Sequence, residues 1–316
     1  MLSIGTQTQY VVDDKAPEAG FMRLKRAGFD CVDFSLNTYL INTKIYKNEI
    51  NDFFKKDIEE LKEFFAPHRD GAAAAGIRIH QMHMPYPVYV PHGKKEINDF
   101  LYNVVAKKSM TICAFLGCRY IVVHGLKLRE MLGSEEAEWA ATEKFLDTIC
   151  PMAKELGITI CVENIYGSVG QHIIEGPCCD AAKAAERIDR MNDKYGAEVL
   201  GFCFDTGHAN LVGLDFERFI TTLGKRLKVL HMHDNDGRRD LHQLPFTFTR
   251  TRENSTTTDW QGFIKGMREI GFSGTLSFET APVLRSFPVE MRDDALSFIA
   301  RTGVYFRNKI EGGENQ

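Results

Sequence analysis

Residues 200–210 read LGFCFDTGHAN. A short apolar run carrying Phe202 and Phe204 reads as a strand buried on both faces, as strands of a parallel sheet are. It ends on a carboxylate, Asp205. The same form recurs along the chain: ITICVE (158–163) ends on Glu163, LKVLH (227–231) on His231 and TLSFE (275–279) on Glu279. Two earlier runs, IRIHQMH (77–83) and RYIVVH (119–124), end on His83 and His124. Parallel strands joined by helices share one direction, so side chains at their C-terminal ends collect on one face. Carboxylates and imidazoles gathered there form a nest of ligands for a divalent cation.

Strand and helix signals alternate outward from these runs. Strands are predicted at 2–6, 31–36, 77–83, 120–124, 158–163, 200–205, 227–233 and 275–279. Between and after them, helices are predicted near 17–27, 50–75, 95–116, 135–156, 180–194, 215–223, 259–270 and 292–308. Gly28, Gly76, Gly117 and Gly157 stand at helix ends, where glycine stops are common. Eight strands alternating with eight helices predict an α/β chain folded as a single (β/α)8 TIM barrel over 1–316. A doubly wound open sheet is the alternative. It gives no reason for polar residues at so many successive strand ends, whereas a closed ring points them at one centre.

Composition fits that architecture. The chain has 316 residues with 44% hydrophobic content, and barrels of this kind commonly exceed ~250 residues as one unit. A net charge of −4 makes nucleic acid an unlikely partner, since such binders usually present a basic surface. The start, MLSIGTQTQYVVDD, lacks a basic flank and an apolar core, so no secretory leader is expected. No apolar run approaches the ~20 residues of a membrane helix. The eight cysteines include the adjacent pair Cys178 and Cys179 but no Cys-x-x-Cys, which predicts free thiols and a cytoplasmic location.

A histidine at a strand end is often only a hydrogen-bonded structural residue. Carboxylates at the ends of apolar strands are harder to dismiss, because they are costly to bury unpaired. Glu163, Glu279, Asp205 and His231 are therefore expected to act together, with His83 and His124 lining the site. DTGHAN places His208 on the same rim. His68, His80, His92 and His172 carry no such placement and read as structural or surface residues.

ICVEN, GFCFDTGHAN, VLHMHDNDGRRDLHQLP and TLSFET together resemble successive motifs of the xylose-isomerase-like barrel superfamily. That group contains sugar and sugar-phosphate isomerases and epimerases, inosose dehydratases, and apurinic endonucleases. Position by position, the resemblance implies a metal quartet of Glu163, Asp205, His231 and Glu279. It implies that His208 touches substrate, or binds a further zinc as in the endonucleases. Asp240 and His242 match the pair completing that further site, and His83 and His124 match the remaining endonuclease ligands. The chain departs from the family where a glycine turn usually follows the Asp-x-His motif. Here PFTFTRTRENSTTT (245–258) precedes Asp259 and Trp260.

The resemblance implies a divalent-metal-dependent sugar or sugar-phosphate isomerase or epimerase. Glu163 and Glu279 move a proton through a metal-stabilised enediolate, and His83, His124, His208, Asp240 and His242 contact substrate. One ion, Mn2+, Mg2+ or Co2+, is expected, with Zn2+ also open. The partner is a small carbohydrate, not a membrane, and a homo-oligomer, dimer or tetramer, is implied. Alternatives are a zinc-dependent apurinic endonuclease and a dehydratase or lyase on a sugar-derived substrate. Phe246, Phe248 and Tyr86 are candidates to cover a sugar face, against a plain reading as packing at the barrel rim. Arg238, Arg239, Arg250, Arg252 and Arg285 are candidates for phosphate, against a plain reading as solvated surface charge.

Overall fold

The computed structural model describes residues 1–128, 134–250 and 255–312. Eight parallel strands form one sheet: β1 (Ser3–Gln7), β2 (Cys31–Ser35), β3 (Arg78–His83), β4 (Tyr120–His124), β5 (Thr159–Glu163), β6 (Leu200–Asp205), β7 (Leu227–His231) and β8 (Thr275–Phe278). Neighbours follow chain order, and β8 pairs with β1. The ring closes where Met232 donates its N–H to Ser277 O (2.8 Å) and Glu279 donates to Met232 O (3.0 Å). This is a single (β/α)8 barrel.

The principal helices on its outside are α1 (Pro17–Ala27), α2 (Ile58–Ala75), α3 (Lys107–Phe115), α4 (Glu135–Leu156), α5 (Ala181–Tyr195), α6 (Phe216–Leu223), α7 (Trp260–Glu269) and α8 (Arg292–Glu311). No described helix is long and apolar enough to cross a membrane. All eight cysteines are buried and free.

Two expected helices differ from the pattern read in the sequence. The helix expected from residue 50 begins at Ile58, because Asp57 and Glu60 form a reciprocal capping box: Glu60 N–H donates to Asp57 Oδ1 (2.9 Å) and Asp57 N–H to Glu60 Oε2 (2.7 Å). The helix expected over 95–116 starts as Lys95–Phe100, widens into a π turn over Leu101–Ala106 and resumes as α3. A short antiparallel hairpin, Tyr166–Val169 with His172–Glu175, follows β5 and has no counterpart in the sequence reading.

Strand alternation sorts the side chains. Ile121, Val123, Ile160, Val162, Phe202, Phe204 and Leu230 join the large cluster shared with the helices. Val122, Cys161, Cys203 and Val229 instead form a small cluster of their own, contributed by four adjacent strands at the barrel's interior. Two residues further along, that inward position is held by His124, Glu163, Asp205 and His231. The pleat therefore aims the strand-end residues inward, over an apolar floor.

Candidate metal centre

Glu163, Asp205 and His231 are the last residues of β5, β6 and β7, and Glu279 follows β8 directly. Register pairs Asp205 with His231 and Glu163 with His124. His231 Nδ1 lies 3.0 Å from Glu163 Oε1, 3.3 Å from Glu279 Oε2 and 3.9 Å from Asp205 Oδ2. One donor atom from each of the four residues falls within 4.8 Å of the others. On its other edge His231 Nε2 meets Asp33 Oδ2 at 2.9 Å, and Gln81 Nε2 donates to that same oxygen (3.0 Å). This carboxylate–imidazole pair fixes the ring with Nδ1 turned to the three carboxylates, the usual support behind a metal-binding histidine. Gln7 Nε2 donates to Glu279 Oε1 (2.7 Å) and orients the second glutamate.

These groups fit a divalent cation. Glu163 and Asp205 are almost fully buried, and several kcal/mol per ion is the typical cost of taking such charges out of water. His124 Nε2 lies 3.1 Å from Glu163 Oε2 but without hydrogen-bond geometry, so this oxygen is buried with no hydrogen-bond partner among the described residues. Burial pushes the Glu163 carboxyl up, yet His231 and His124 overrule it and hold it well below the usual range. Burial likewise opposes protonation of His231, while Cys203, Glu279 and Glu163 hold it well above its ordinary value. A positive charge is thus favoured among the carboxylates, where three oxygens and one nitrogen suit Mn2+, Mg2+, Co2+ or Zn2+.

His83 and His124 form one wall. His83 Nδ1–H donates to Met84 O (2.7 Å), and its Nε2 sits 3.1 Å from His124 Nε2 and 3.8 Å from Glu163 Oε2. Burial pulls His124 down to about 4, with Glu163 opposing. The Tyr86 ring lies 4.8 Å from His124, on the site as expected.

His208, Asp240 and His242 form the opposite wall. Asp205 caps the short helix Thr206–Leu211 by accepting the His208 N–H on Oδ1 (2.6 Å), which sets His208 beside it. His208 Nδ1–H donates to Asn164 O (3.0 Å), and Nε2 reaches Asp240 Oδ2 (3.3 Å). His242 Nε2 reaches the same oxygen (3.2 Å), and its Nδ1–H donates to Glu279 O (3.0 Å). Burial works against both imidazolium ions. Asp205 leads the carboxylates that lift His208 to about 9, and Glu279 leads those that lift His242 to about 10.

Glu163, Asp205, His231, Glu279, His83, His124, His208, Asp240 and His242 are brought together, and the structure adds others. His233 Nε2 lies 3.0 Å from Asp205 Oδ2, and its ring stacks on His242 at 4.0 Å and 9°. It completes two further ligand groups, with Asp205 and His208 and with His242 and Glu279. Gly207 makes room for it, since a Cβ there would stand 1.9 Å from His233 Cε1. Asp33, Gln7 and Asn164 were also missed. His233 repeats the inward phase of His231 two residues on, and Asp33 is a carboxylate inside an apolar strand, so both signals were present.

Phe246 is a correction. It packs on Phe306 (5.4 Å, 11°), Tyr305 and Trp260, so its ring belongs to the outer helix layer and covers no sugar face. Among the arginines weighed for phosphate, Arg285 lies over the Tyr10 ring and donates to its hydroxyl, while Arg239 pairs in the open with Asp236. Arg252 and the side chain of Arg250 lie outside the described residues.

Residues 21–301 match the model of the xylose isomerase-like TIM barrel family. An inosose isomerase of Bacillus velezensis is similar, 23% identical over 55% of this chain and 57% of that protein. Among solved structures, 3-keto-D-glucoside 4-epimerase YcjR from E. coli is similar with a TM-score of 0.65 and 15% identity, covering 95% of this chain and 100% of that one. A D-psicose 3-epimerase, solved in the presence of D-fructose, has a TM-score of 0.63 and 15% identity, covering 99% and 100%. At such identity these structures bear on the fold alone. With its family model matched over nearly the whole barrel, the chain belongs to the xylose isomerase-like TIM barrel family.

Proposed function

We propose that this chain is a divalent-metal-dependent isomerase or epimerase of a sugar or sugar-derived substrate. One observation carries the reading: Glu163 and Glu279, from separated strands, approach His231 Nδ1 at 3.0 and 3.3 Å, each through one of its two carboxylate oxygens. A bound cation would act as a Lewis acid, polarising a substrate carbonyl and acidifying the neighbouring C–H. The cation would be held by Glu163, Asp205, His231 and Glu279.

The chain's own groups then move the proton. Glu163 Oε2, buried without a hydrogen-bond partner among the described residues, accepts it from the carbon beside the carbonyl. Glu279, steadied by Gln7 at Oε1, delivers a proton to the opposite face, giving epimerisation through an enediolate. Return to the neighbouring carbon gives aldose–ketose isomerisation, and departure of a β-hydroxyl gives dehydration. His208 orients a substrate hydroxyl, with Asp240 and His242 behind it. His83 and His124 line the other side and exclude water. The inosose isomerase and the sugar epimerases among similar proteins favour isomerase or epimerase over lyase. Eight buried free thiols support a reducing compartment such as the cytoplasm.

A zinc-dependent apurinic endonuclease is the second reading, favoured by the convergence of His83, His124, His208, Asp240 and His242 around the quartet. Elemental mass spectrometry on protein purified without chelators separates the two. About one Mn, Co or Mg per chain, with conversion of free ketoses, supports the isomerase; about three Zn per chain, with nicking of abasic DNA, overturns it.

A further inference from the structure

The loops after β3, β4 and β5 enclose a cleft of about 840 Å3 beside the metal centre. Tyr86 and Tyr166 both line the cleft, and their rings lie 4.8 Å from His124 and 5.2 Å from His208. Sites for drug-sized ligands run from about 300 to 1,000 Å3, so the space exceeds what one monosaccharide needs.

The walls say what could extend into it. Tyr46 and Tyr89 add two more rings, and Val88, Val90 and Ile174 add apolar surface. Such faces suit a flat, neutral ring, because aromatic side chains offer stacking area with a polar tip. The charges argue against an anion. Glu135, Glu138 and Glu175 line the cleft, against Lys127 as the single cation among the described lining residues. Lys127 is engaged already: its ammonium donates to Tyr166 O and lies 5.1 Å from the centre of the Tyr166 ring. Burial also pulls it below the usual lysine range, with Glu138 opposing. Glu135 pairs outward with Lys183 (2.7 Å) and Arg187, and Glu138 Oε1 accepts the Leu128 N–H (3.0 Å). Among the described lining residues a phosphate would meet three carboxylates and one lysine that is already engaged.

We propose that this cleft is a subsite for the neutral second ring of a glycoside whose first ring sits at the metal centre. The inference rests on the isomerase reading above and extends it from monosaccharides to substrates with a second sugar or aryl ring.

Isothermal titration calorimetry on the Mn2+-loaded full chain tests it with four probes: D-glucose, glucose 6-phosphate, cellobiose and p-nitrophenyl β-D-glucopyranoside. Two variants, Ile174→Trp and Ser168→Trp, fill the cleft from the hairpin that follows β5; Ser168 is exposed, so its replacement leaves the fold unloaded. In the wild type at least one second-ring probe binds about tenfold or more tighter than glucose, a margin within reach of ring stacking. Each tryptophan removes most of that margin, and glucose 6-phosphate gains nothing over glucose. Cellobiose ahead assigns a sugar ring, and the aryl glucoside ahead assigns an aglycone. Equal affinity for all neutral probes, no binding by either second-ring probe, or a margin untouched in both variants overturns the subsite. So does tighter binding of the phosphate. Ketose turnover without second-ring preference sinks the subsite alone. Second-ring preference without any ketose turnover sinks the isomerase reading alone.

Discussion

Strand β7 carries Lys228 near its start and His231 at its end. The lysine meets Glu198 at 2.7 Å with both side chains partly in solvent, and Arg119 approaches the same glutamate at 3.9 Å. The histidine is wholly buried among Glu163, Asp205 and Glu279. The floor and the mouth of one barrel thus handle charge in opposite ways. Exposed pairs like those at the floor are worth roughly 0–1 kcal/mol, and solvent would serve their members nearly as well. The mouth removes its carboxylates from water, at a typical cost of several kcal/mol per ion, and sets them among imidazoles. A bound cation, as proposed above, would account for that concentration of acid.

The largest effect expected from breaking this contrast is at the glutamates. Glu163→Gln and Glu279→Gln are each expected to lower kcat about 1,000-fold or more, within the range of lost acid–base catalysis plus weakened metal binding. Steady-state kinetics with circular dichroism checks it, and near-normal turnover in either folded variant would sink the two-carboxylate mechanism. A step behind comes Asp33→Asn, which spoils the support of His231 without touching the quartet. Metal affinity is expected to fall about 10- to 100-fold, read by competition with a chromogenic chelator.

Proton binding offers a smaller lever with opposite signs at the two ends. In chelated protein His208 and His242 stand at about 9 and about 10, above the ordinary 6.5, because carboxylates outweigh their burial. The folded chain then holds protons the unfolded chain has released, so this stability is complete below about pH 6.5 and disappears as pH climbs through 9 to 10. At the floor, burial and then Arg78 pull His80 down to about 4, so its contribution is present above 6.5 and is lost as pH falls toward 4. Thermal melts of chelated protein should drop a few degrees between pH 7 and 10. His242→Gln should flatten that slope, and an unchanged slope would contradict the assignment. The least effect belongs to the floor pair: Lys228→Ala should cost under about 1 kcal/mol in urea denaturation, and a larger loss would erase the contrast.

The strands that end in candidate ligands were legible because an apolar run closing on Glu163, Asp205 or His231 is a strong local signal. His233 escaped although it repeats the inward phase of His231 two residues on, because its meeting with Asp205 appears only in the folded chain. Asp33 escaped because it lies mid-strand in CVDFS rather than at an end, and its partner His231 is remote in sequence. The start of α2 depended on Asp57 and Glu60 meeting across one turn. The hairpin after β5 carries too little apolar alternation in YGSVGQHIIE to announce itself. Phe246 was misplaced for a related reason: loop membership says nothing about which way a ring turns, and Phe306 on α8 claims it.

The contact between Gly207 and the His233 ring couples two positions that chemistry would treat separately. Position 207 cannot drift alone. Alanine at 207 drives a methyl group into the imidazole, whereas alanine at both positions relieves the overlap and gives up the His233 contacts with Asp205 and His242. Across relatives the pair should therefore covary, with side chains bulkier than hydrogen at 207 appearing only beside a small residue at 233.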